Sequence, residues 1–282
     1  MTLRQALTIA TQQLAASDHL RVNAHRDAEL LLLHTLQIPR TTLLAHPSRK
    51  LSPTEESLYE SSVARRLKNE PIQYITGQQE FYGLTLKVTP AVLIPRPETE
   101  HLVEAVLHHL PKDQPTKIAD IGTGSGAIAI ALAVHLPKAQ ITALDLSLEA
   151  LKVAQANAET HNITNRITCL QSDLLAALPA NELFDAIVSN PPYIPESDRP
   201  TLHPEVRDHE PHTALFAGAE GLDIYRRLIP QAKAALRPAG WLLMEIGHGQ
   251  SEALAELLHD WASTEFINDL QGIPRVAISR KA

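Results

Sequence analysis

The strongest constraint on the fold is a regular alternation of short apolar runs and helical patterns that begins near residue 116. Runs rich in β-branched residues occupy residues 117–122, 140–146, 167–173, 184–190 and 240–247. Helical patterns separate most of these runs, and a helical stretch over 251–261 and an extended stretch over 274–281 follow them. Strands that alternate with helices form a mostly parallel, doubly wound sheet with helices on both faces. The sequence therefore predicts an α/β, Rossmann-like fold whose ligand site lies beyond the carboxyl ends of the strands.

The part of the chain before this alternation is predicted to be helical. Ser52, Pro53 and Glu55 form a capping-box start for one helix, with proline at its first position. Further along, β-branched and aromatic residues alternate around two glycines, which indicates a short hairpin. We therefore expect three parts in chain order: a small all-helical domain over residues 1–72, a β-hairpin linker over 73–92 and the α/β domain over 93–282.

Composition restricts the class of protein. With 44% hydrophobic and 20% charged residues, the chain is typical of a globular protein with a sizeable core. Its one cysteine, Cys169, excludes a disulfide framework and favours a reducing compartment. No apolar run approaches the roughly 20 residues that span a bilayer, and the first residues resemble an amphipathic helix more than a signal peptide. We therefore expect a cytoplasmic protein that does not associate with membranes.

The net charge of −7 is distributed unevenly along the chain. Residues 1–75 hold nine Lys/Arg and seven Asp/Glu, so they carry +2, and the remainder carries −9. Proteins that bind nucleic acids concentrate basic residues in a patch or stripe, and neither part of this sequence has an obvious one. We therefore expect no direct nucleic-acid partner. We also expect the chain to act as a monomer.

A glycine-rich turn follows the first strand of the predicted sheet. The sequence DIGTGSG contains the cofactor-binding candidates Asp120, Gly122, Thr123, Gly124, Ser125 and Gly126. Glycines permit positive φ and a close approach of a ligand to the backbone. Asp145 ends the next predicted strand, where its carboxylate can accept hydrogen bonds from both hydroxyls of a ribose. A lone glycine turn can be purely structural, but strand, turn, helix and second acid together predict a nucleoside site.

The spacing of the glycines favours S-adenosylmethionine over a dinucleotide. A dinucleotide site prefers G-x-G-x-x-G, with the pyrophosphate at the helix N-terminus, whereas this turn reads G-x-G-x-G. S-adenosylmethionine has no phosphate, and its sulfonium and ammonium groups suit an acidic cleft that includes Asp120. At the end of the third strand, Asp173 can accept from an adenine amino group, and Leu174 can pack on the ring. Asp173 is also a candidate N-cap for a helix over 174–179, and the two roles are compatible.

A rigid corner, Asn190-Pro191-Pro192-Tyr193, follows the fourth strand. Because proline has no N–H, the corner offers backbone carbonyls and the Asn190 amide oxygen, with no backbone donor before Tyr193. Such a corner fits a planar –NH2 group: it can hold both hydrogens, aim the nitrogen lone pair at a methyl carbon and stack Tyr193 on the flat group. Preorganisation of this kind is the main contribution to rate expected of a methyl-transfer site. The alternative is an ordinary Pro-Pro turn.

The glycine turn and the NPPY corner together resemble the amino-methylating class I, Rossmann-fold methyltransferases. Three further stretches are similar to the HemK/PrmC family of peptide chain release factor glutamine-N5 methyltransferases: PIQYITGQQEFYGLTLKV, VLIPRPETE, and EVRDHEPHTALFAG followed by GLDIYRRLI. The resemblance covers nearly the whole chain, including the helical N-terminal domain. One departure is LFAGAEG at residues 215–221, where the family more often has an aspartate and paired glycines.

The resemblance implies a function and a set of site residues. It implies transfer of a methyl group from S-adenosylmethionine to the glutamine side-chain amide in the Gly-Gly-Gln motif of peptide chain release factors. It implies cofactor contacts at residues 122–126, Asp145, Leu174 and Asn190, and substrate contacts at residues 190–193. Residues 1–72 carry no motif and differ in charge from the remainder, so we expect them to dock the protein substrate.

Two other functions remain open from the sequence. An adenine-N6 methyltransferase acting on DNA or RNA has the same corner, but it should show basic and aromatic surface, and only 4% of the residues are aromatic. A nucleoside-binding adaptor without activity would not need NPPY.

The family resemblance implies that Arg96 and Glu98 border the cofactor cleft. The alternative is that both belong to a proline-rich entry to a helix. The fourteen histidines contain no H-E-x-x-H pattern, so we expect no metal.

Overall fold

A computed structural model of the chain describes all 282 residues, which form two compact units. The helical unit comprises Met1–Gln78 and Thr201–His209, and the sheet unit comprises Gln79–Pro200 and Glu210–Ala282. The segment Thr201–His209 lies within the α/β part of the sequence but belongs to the helical unit, which the sequence analysis did not predict. No helix is both long and apolar enough to cross a membrane.

Eleven α-helices and nine strands account for most of the chain. The helices are α1 (Leu3–Ala15), α2 (Ala24–Leu36), α3 (Arg40–Ala45), α4 (Pro53–Arg66), α5 (Ile72–Thr76), α6 (Glu100–His109), α7 (Ala127–His135), α8 (Leu148–Thr160), α9 (Pro204–His209), α10 (Asp223–Ala235) and α11 (Ser251–Leu257). The strands are β1 (Gln78–Phe81), β2 (Leu84–Lys87), β3 (Thr116–Ile121), β4 (Ala139–Asp145), β5 (Ile167–Gln171), β6 (Phe184–Ser189), β7 (Leu236–Glu245), β8 (Ser263–Asn268) and β9 (Pro274–Arg280).

The helical unit is built around one apolar core and one buried charge cluster. The predicted capping box is confirmed, since Ser52 Oγ accepts from the Glu55 amide at 3.2 Å and Glu55 accepts from the Ser52 amide at 2.8 Å. The buried Arg66 guanidinium at the end of α4 donates to Asp27 of α2 at 2.7 Å and also to Glu205 of α9. Charged hydrogen bonds therefore hold the inserted segment within this unit.

The predicted doubly wound sheet is confirmed. Seven strands pair in the order β5-β4-β3-β6-β7-β9-β8. All neighbours are parallel except β9, which runs antiparallel to both β7 and β8. Because β4, β3 and β6 are adjacent and parallel, their carboxyl ends lie side by side at one edge of the sheet.

The sheet separates two apolar cores, one on each face. In β3, Ile118 belongs to the core formed with α6, α7 and α8, and the next residue, Ala119, belongs to the core formed with α10 and α11. Successive side chains of a strand point to opposite faces, so a strand covered on both sides is apolar throughout. The hairpin of β1 and β2 packs into the first of these cores through Phe81 and Leu86.

Several details differ from the sequence predictions. Within the predicted hairpin linker over 73–92, residues 73–76 belong to α5, and the two strands of the hairpin cover only residues 78–87. β7 begins at Leu236, four residues earlier than predicted. β8 was not predicted, because this edge strand alternates between exposed and half-buried residues and has no apolar run. Residues 174–179 form turns and not a helix, so the predicted N-cap role of Asp173 is wrong.

Candidate active site

A cavity of about 470 Å³ lies beyond the carboxyl ends of β3, β4, β5 and β6. Ten of the thirteen predicted site residues line it: Gly122, Thr123, Gly124, Ser125, Asp145, Asp173, Leu174, Asn190, Pro191 and Pro192. The sheet brings them together because each follows or ends one of four adjacent parallel strands. The other three, Asp120, Gly126 and Tyr193, lie outside the cavity wall.

The glycine turn is open to the cavity. The amides of Gly122 and Thr123 donate to the Leu144 carbonyl at 2.8 and 2.9 Å, which fixes the turn against the end of β4. Gly124 has φ +54°, and a Cβ added there would meet only the Gly122 carbonyl oxygen, at 4.0 Å. The backbone of this turn can therefore be approached closely by a ligand.

Asp145 ends β4 and is attached to the same turn. Its Oδ2 accepts from the Gly124 amide at 2.9 Å, and its Oδ1 accepts from the Ser147 amide at 2.8 Å. Burial raises the pKa of Asp145, and the backbone amides that donate to it act in the opposite direction. A carboxylate can accept about four hydrogen bonds, so Asp145 can still accept from a ribose hydroxyl at the cavity.

Asp120 supports the turn from below and does not line the cavity. Its side chain is fully buried, and its Oδ2 accepts from Thr123 Oγ1 at 2.7 Å and from the Ala129 amide at 3.2 Å. Its Oδ1 has no hydrogen-bond partner in the protein. The pKa of Asp120 is raised to about 7, mainly by burial and in part by the nearby Asp145, against the lowering effect of the hydrogen bonds from Thr123 and Ala129. Asp120 is thus an acid that lacks one partner directly beneath the predicted cofactor turn.

Gly126 has a packing role that differs from that of Gly124. A Cβ at Gly126 would lie 3.0 Å from Ile130 Cδ1 and 3.2 Å from Ala154 Cβ. The absence of a side chain at Gly126 therefore allows α7 to pack closely on α8. All three glycines were predicted to bind the cofactor, and the sequence pattern alone does not separate these two roles.

Asp173 and Leu174 form the wall beyond β5. Asp173 Oδ2 accepts from Arg227 at 2.6 Å, and the Asp173 side chain is half exposed. Leu174 has φ +53°, in the left-handed region that non-glycine residues rarely adopt. Strained backbone of this kind persists where the surrounding structure requires it, and it is concentrated at functional sites.

Buried hydrogen bonds hold the NPPY corner from behind. Asn190 Nδ2 donates to Thr99 Oγ1 at 3.0 Å, and Thr99 Oγ1 donates to Glu245 Oε2 at 2.6 Å. The Tyr193 hydroxyl donates to Glu245 Oε1 at 3.2 Å, so it points away from the cavity. The Tyr193 carbonyl accepts from Gln250 Nε2 at 3.0 Å. The corner is therefore fixed at both ends.

Thr99 and Glu245 were not found by the sequence analysis. Thr99 directly follows Glu98 in the PRPETE stretch, and Glu245 is the one acid in the apolar run over residues 240–247. A buried acid in such a strand is a signal that could have been used. Of the two residues named there, Arg96 lines the cavity and donates to the buried Glu210 at 2.5 Å, whereas Glu98 is not part of the wall.

The structure contains no group of three or more His, Cys, Asp or Glu side chains that could hold a metal ion.

The loop over residues 215–221, which departs from the family pattern, is attached by backbone hydrogen bonds to Ile194, the residue after the NPPY corner. The Ile194 amide donates to the Leu215 carbonyl at 2.9 Å, and the Ala217 amide donates to the Ile194 carbonyl at 3.0 Å. A Cβ at Gly221 would lie 2.1 Å from the Tyr193 carbonyl oxygen. The close approach of the two segments requires glycine there.

The sheet order and the cavity at the strand ends define a class I, Rossmann-like methyltransferase. Two family models match the chain, the PrmC N-terminal domain over residues 5–77 and the methyltransferase small domain over residues 99–203. The hMettl16 catalytic domain in complex with MAT2A 3'UTR hairpin 6 matches with a TM-score of 0.56 at 18% identity, over 81% of this chain and 82% of that chain. The T. thermophilus 16S rRNA N2 G1207 methyltransferase RsmC, in complex with AdoMet and guanosine, matches with a TM-score of 0.55 at 21% identity, over 73% of this chain and 50% of that chain. These two structures show the fold alone.

Full-length relatives give the family. The release factor glutamine methyltransferase of Koribacter versatilis is 46% identical over 281 residues, covering 100% of this chain and 99% of the relative. That of Coxiella burnetii is 43% identical over 283 residues, with the same coverage. The chain belongs to the release factor glutamine methyltransferases, which confirms the family predicted from the sequence. It is an enzyme that uses S-adenosylmethionine, and the open glycine turn and the Asp145 carboxylate at the cavity wall fit that cofactor.

Proposed function

We propose that the chain methylates the side-chain amide nitrogen of the glutamine in the Gly-Gly-Gln motif of a peptide chain release factor. The observation that carries the proposal is the orientation of Asn190. Its Nδ2 donates one hydrogen to Thr99, and no group of the protein donates to its Oδ1, which is free to accept at the cavity. An acceptor in that position suits a substrate group that only donates, and an unreacted primary amide presents such a group.

The cofactor site follows from the cavity wall. The turn over residues 122–125 receives the cofactor against its backbone, with Gly124 open to it, and Gly126 supports the turn by letting α7 and α8 pack closely. Asp145 binds the ribose hydroxyls. Asp173 accepts from the adenine amino group, and Leu174 packs on the ring. When bound, S-adenosylmethionine supplies an electrophilic methyl carbon on a positively charged sulfur, and the transfer leaves a neutral thioether.

The corner prepares the amide nitrogen for the transfer. An amide nitrogen is a weak nucleophile because its lone pair is delocalised into the carbonyl. Asn190 Oδ1 and a backbone carbonyl of the corner hold the two N–H hydrogens, and this restricts the delocalisation and directs the lone pair toward the cofactor side of the cavity. Pro191 and Pro192 fix both acceptors in advance, so little reorganisation is needed during the reaction. The methylated nitrogen is then strongly acidic, and its extra proton passes to water.

The finer assignments belong to the same proposal. The helical unit docks the release factor, in keeping with its net charge of opposite sign to the remainder. The enzyme acts in the cytoplasm, where its substrate takes part in translation termination, and it acts as a monomer on protein and not directly on nucleic acid.

The test is incubation of the enzyme with methyl-labelled S-adenosylmethionine and one of four acceptors. These are an intact release factor, the same factor with the motif glutamine replaced by alanine, bulk RNA and bulk DNA. Label on the intact factor alone supports the proposal. Label on either nucleic acid would assign the corner to adenine, and equal labelling of both factors would place the methyl group on another residue.

A further inference from the structure

Glu245 is a buried carboxylate that has no role in the proposed methyl transfer. It ends β7, only 2% of its surface is exposed, and it forms no ion pair with Lys or Arg. A buried charge without a cation is unfavourable unless hydrogen-bond donors surround it. Its two side-chain oxygens accept from two hydroxyls, those of Thr99 and Tyr193. Both partners lie at the NPPY corner, which points to a role in the reaction and not only in folding.

The hydrogen bonds between Glu245 and Asn190 have a fixed direction. Burial raises the pKa of Glu245, and the hydrogen bonds from Thr99 and Tyr193 act in the opposite direction because they stabilise the ionised form. The ionised carboxylate only accepts, so the single hydroxyl hydrogen of Thr99 is given to Glu245. Thr99 Oγ1 can then only accept from Asn190, and only the NH2 side of the amide can supply that bond, at 3.0 Å. If the amide were rotated by 180°, two acceptor oxygens would face each other, and an NH2 donor would face the cavity.

We propose that Glu245 is a positioning residue that determines, through Thr99, which side of the Asn190 amide faces the substrate. This inference rests on the proposed function, in which Asn190 Oδ1 accepts from the glutamine amide. An Asn or Gln side chain can present either its NH2 donor or its oxygen acceptor to a neighbour. Because the Glu245 carboxylate only accepts, the hydrogen bonds through Thr99 allow only one of these two orientations for Asn190. With its other oxygen, Glu245 holds the Tyr193 hydroxyl at the opposite end of the corner.

The test uses matched substitutions at Thr99 in the full-length enzyme. Thr99→Val has nearly the same shape but can neither accept from Asn190 nor donate to Glu245, whereas Thr99→Ser keeps the hydroxyl. We expect Thr99→Val to lower kcat about tenfold or more, but by less than the roughly 10²–10³ typical when a hydrogen bond to the reacting group itself is removed. The Kd for S-adenosylmethionine should stay within about twofold of wild type, since Asp145 and the glycine turn are untouched. Thr99→Ser should retain most of the turnover.

A double substitution separates positioning from simple loss of packing. If Thr99 acts only through Asn190, Thr99→Val combined with Asn190→Ala should turn over no more slowly than Asn190→Ala alone. Additive losses would overturn the proposal. Glu245→Gln is the second probe, because a glutamine can donate as well as accept and no longer imposes one direction. It should lower kcat with little change in KM.

Tyr225→Phe is the matched control for the end of β7. The Tyr225 hydroxyl donates to the backbone carbonyl of Glu245 at 2.8 Å and does not contact the carboxylate. We expect this variant to lower the melting temperature while kcat stays near wild type. A Tyr225→Phe enzyme as slow as Glu245→Gln would mean that disturbance of the strand, and not the direction of the bonds, sets the rate.

The results distinguish a failure of the proposed function from a failure of the positioning role of Glu245. A wild-type enzyme that fails to label the release factor would overturn the proposed function. A wild-type enzyme that labels it, with Asn190→Ala slow and both Thr99→Val and Glu245→Gln at wild-type turnover, would overturn the positioning role alone. If Thr99→Val does not fold, the kcat of Glu245→Gln alone tests the positioning role: a lowered kcat supports it, and a wild-type kcat overturns it.

Discussion

Asp145 Oδ2 accepts a hydrogen bond from the Gly124 amide at 2.9 Å. The acid that ends β4 and the turn that follows β3 are therefore joined directly before any ligand binds. The carboxylate that is proposed to bind the ribose also helps to fix the backbone beside it, so loss of Asp145 disturbs the cofactor site in two ways.

Replacing Asp145 should mainly weaken cofactor binding. Hydrogen bonds to charged groups are each worth about 1.5–3 kcal/mol, so Asp145→Ala should raise the Kd for S-adenosylmethionine at least about tenfold. Asp145→Asn keeps one acceptor and should weaken binding less than Asp145→Ala does. Isothermal titration calorimetry measures both variants. Unchanged affinity in Asp145→Ala would remove the ribose assignment.

Replacing Asn190 should affect turnover much more than affinity. The bond to the reacting amide strengthens as the nitrogen becomes pyramidal, so Asn190→Ala removes an interaction that is stronger in the transition state than in the ground state. Loss of one preorganised catalytic hydrogen bond costs about 10²–10³ in kcat. Asn190→Asp should also be slow, because a carboxylate has no N–H to give to Thr99. Steady-state kinetics with the intact release factor check this, and near wild-type turnover of Asn190→Ala would show that the corner is structural.

Asp120 should make the stability of the ligand-free enzyme depend on pH. Burial raises the pKa of Asp120 to about 7 in the folded chain, whereas an unfolded aspartate has a pKa near 3.9. Between those values the folded state binds more protons than the unfolded state, so the contribution of Asp120 to stability falls as the pH rises from about 4 to about 7. Each pKa unit corresponds to about 1.4 kcal/mol, so the loss is at most about 4 kcal/mol.

Asp120→Asn isolates this effect. The amide oxygen can still accept from Thr123 and from the Ala129 amide, and the variant has no charge to bury. Urea unfolding of both proteins from pH 4 to pH 8 gives the difference in free energy of unfolding. We expect the variant to gain stability relative to wild type as the pH rises. A difference that does not change with pH would contradict the raised pKa.

Two glycines of the turn should respond differently to alanine. Gly124 and Gly126 have φ of +54° and +81°, so alanine at either position costs roughly 1–2 kcal/mol of backbone strain. At Gly126 the new methyl group also collides with Ile130 and Ala154, and overpacking adds about 1–3 kcal/mol. In ligand-free urea unfolding, Gly126→Ala should therefore be the less stable variant. The opposite order would show that α7 and α8 can separate without cost.

The docking role of the helical unit can be tested on its exposed surface. Val22 is 92% exposed, and Arg26, four residues later, is exposed and forms no ion pair. Val22→Glu combined with Arg26→Glu should lower kcat/KM about tenfold on an intact release factor, as expected when interface contacts are lost. It should leave the rate on a short Gly-Gly-Gln peptide unchanged. Leu270→Glu, at a 99% exposed position of the sheet unit, is the matched control. An equal fall on factor and peptide would argue against docking.

Local sequence chemistry was enough to predict six of the seven strands of the sheet and ten of the residues that line the cavity. The glycine turn, Asp145, Asp173 and the NPPY corner each stand at the end of an apolar run, and in a parallel sheet such ends must lie at one edge. Proline, glycine and acids mark these positions because their backbone or hydrogen-bonding properties act within a few residues. That is why ten predicted residues line the cavity.

Only the tertiary structure decided what supports those residues and how they are oriented. Thr99 and Glu245 are separated by 146 positions, and they meet because the turn before α6 packs against the end of β7. The pairing of β6 with β7, with Ser189 beside Met244, places Glu245 next to Asn190. The left-handed backbone of Leu174 and the assignment of Thr201–His209 to the helical unit depend likewise on surroundings that are distant in sequence. A motif specifies which groups are present at a strand end. The direction in which an amide faces is set by the polarity of its buried partners, and those partners are brought together only by folding.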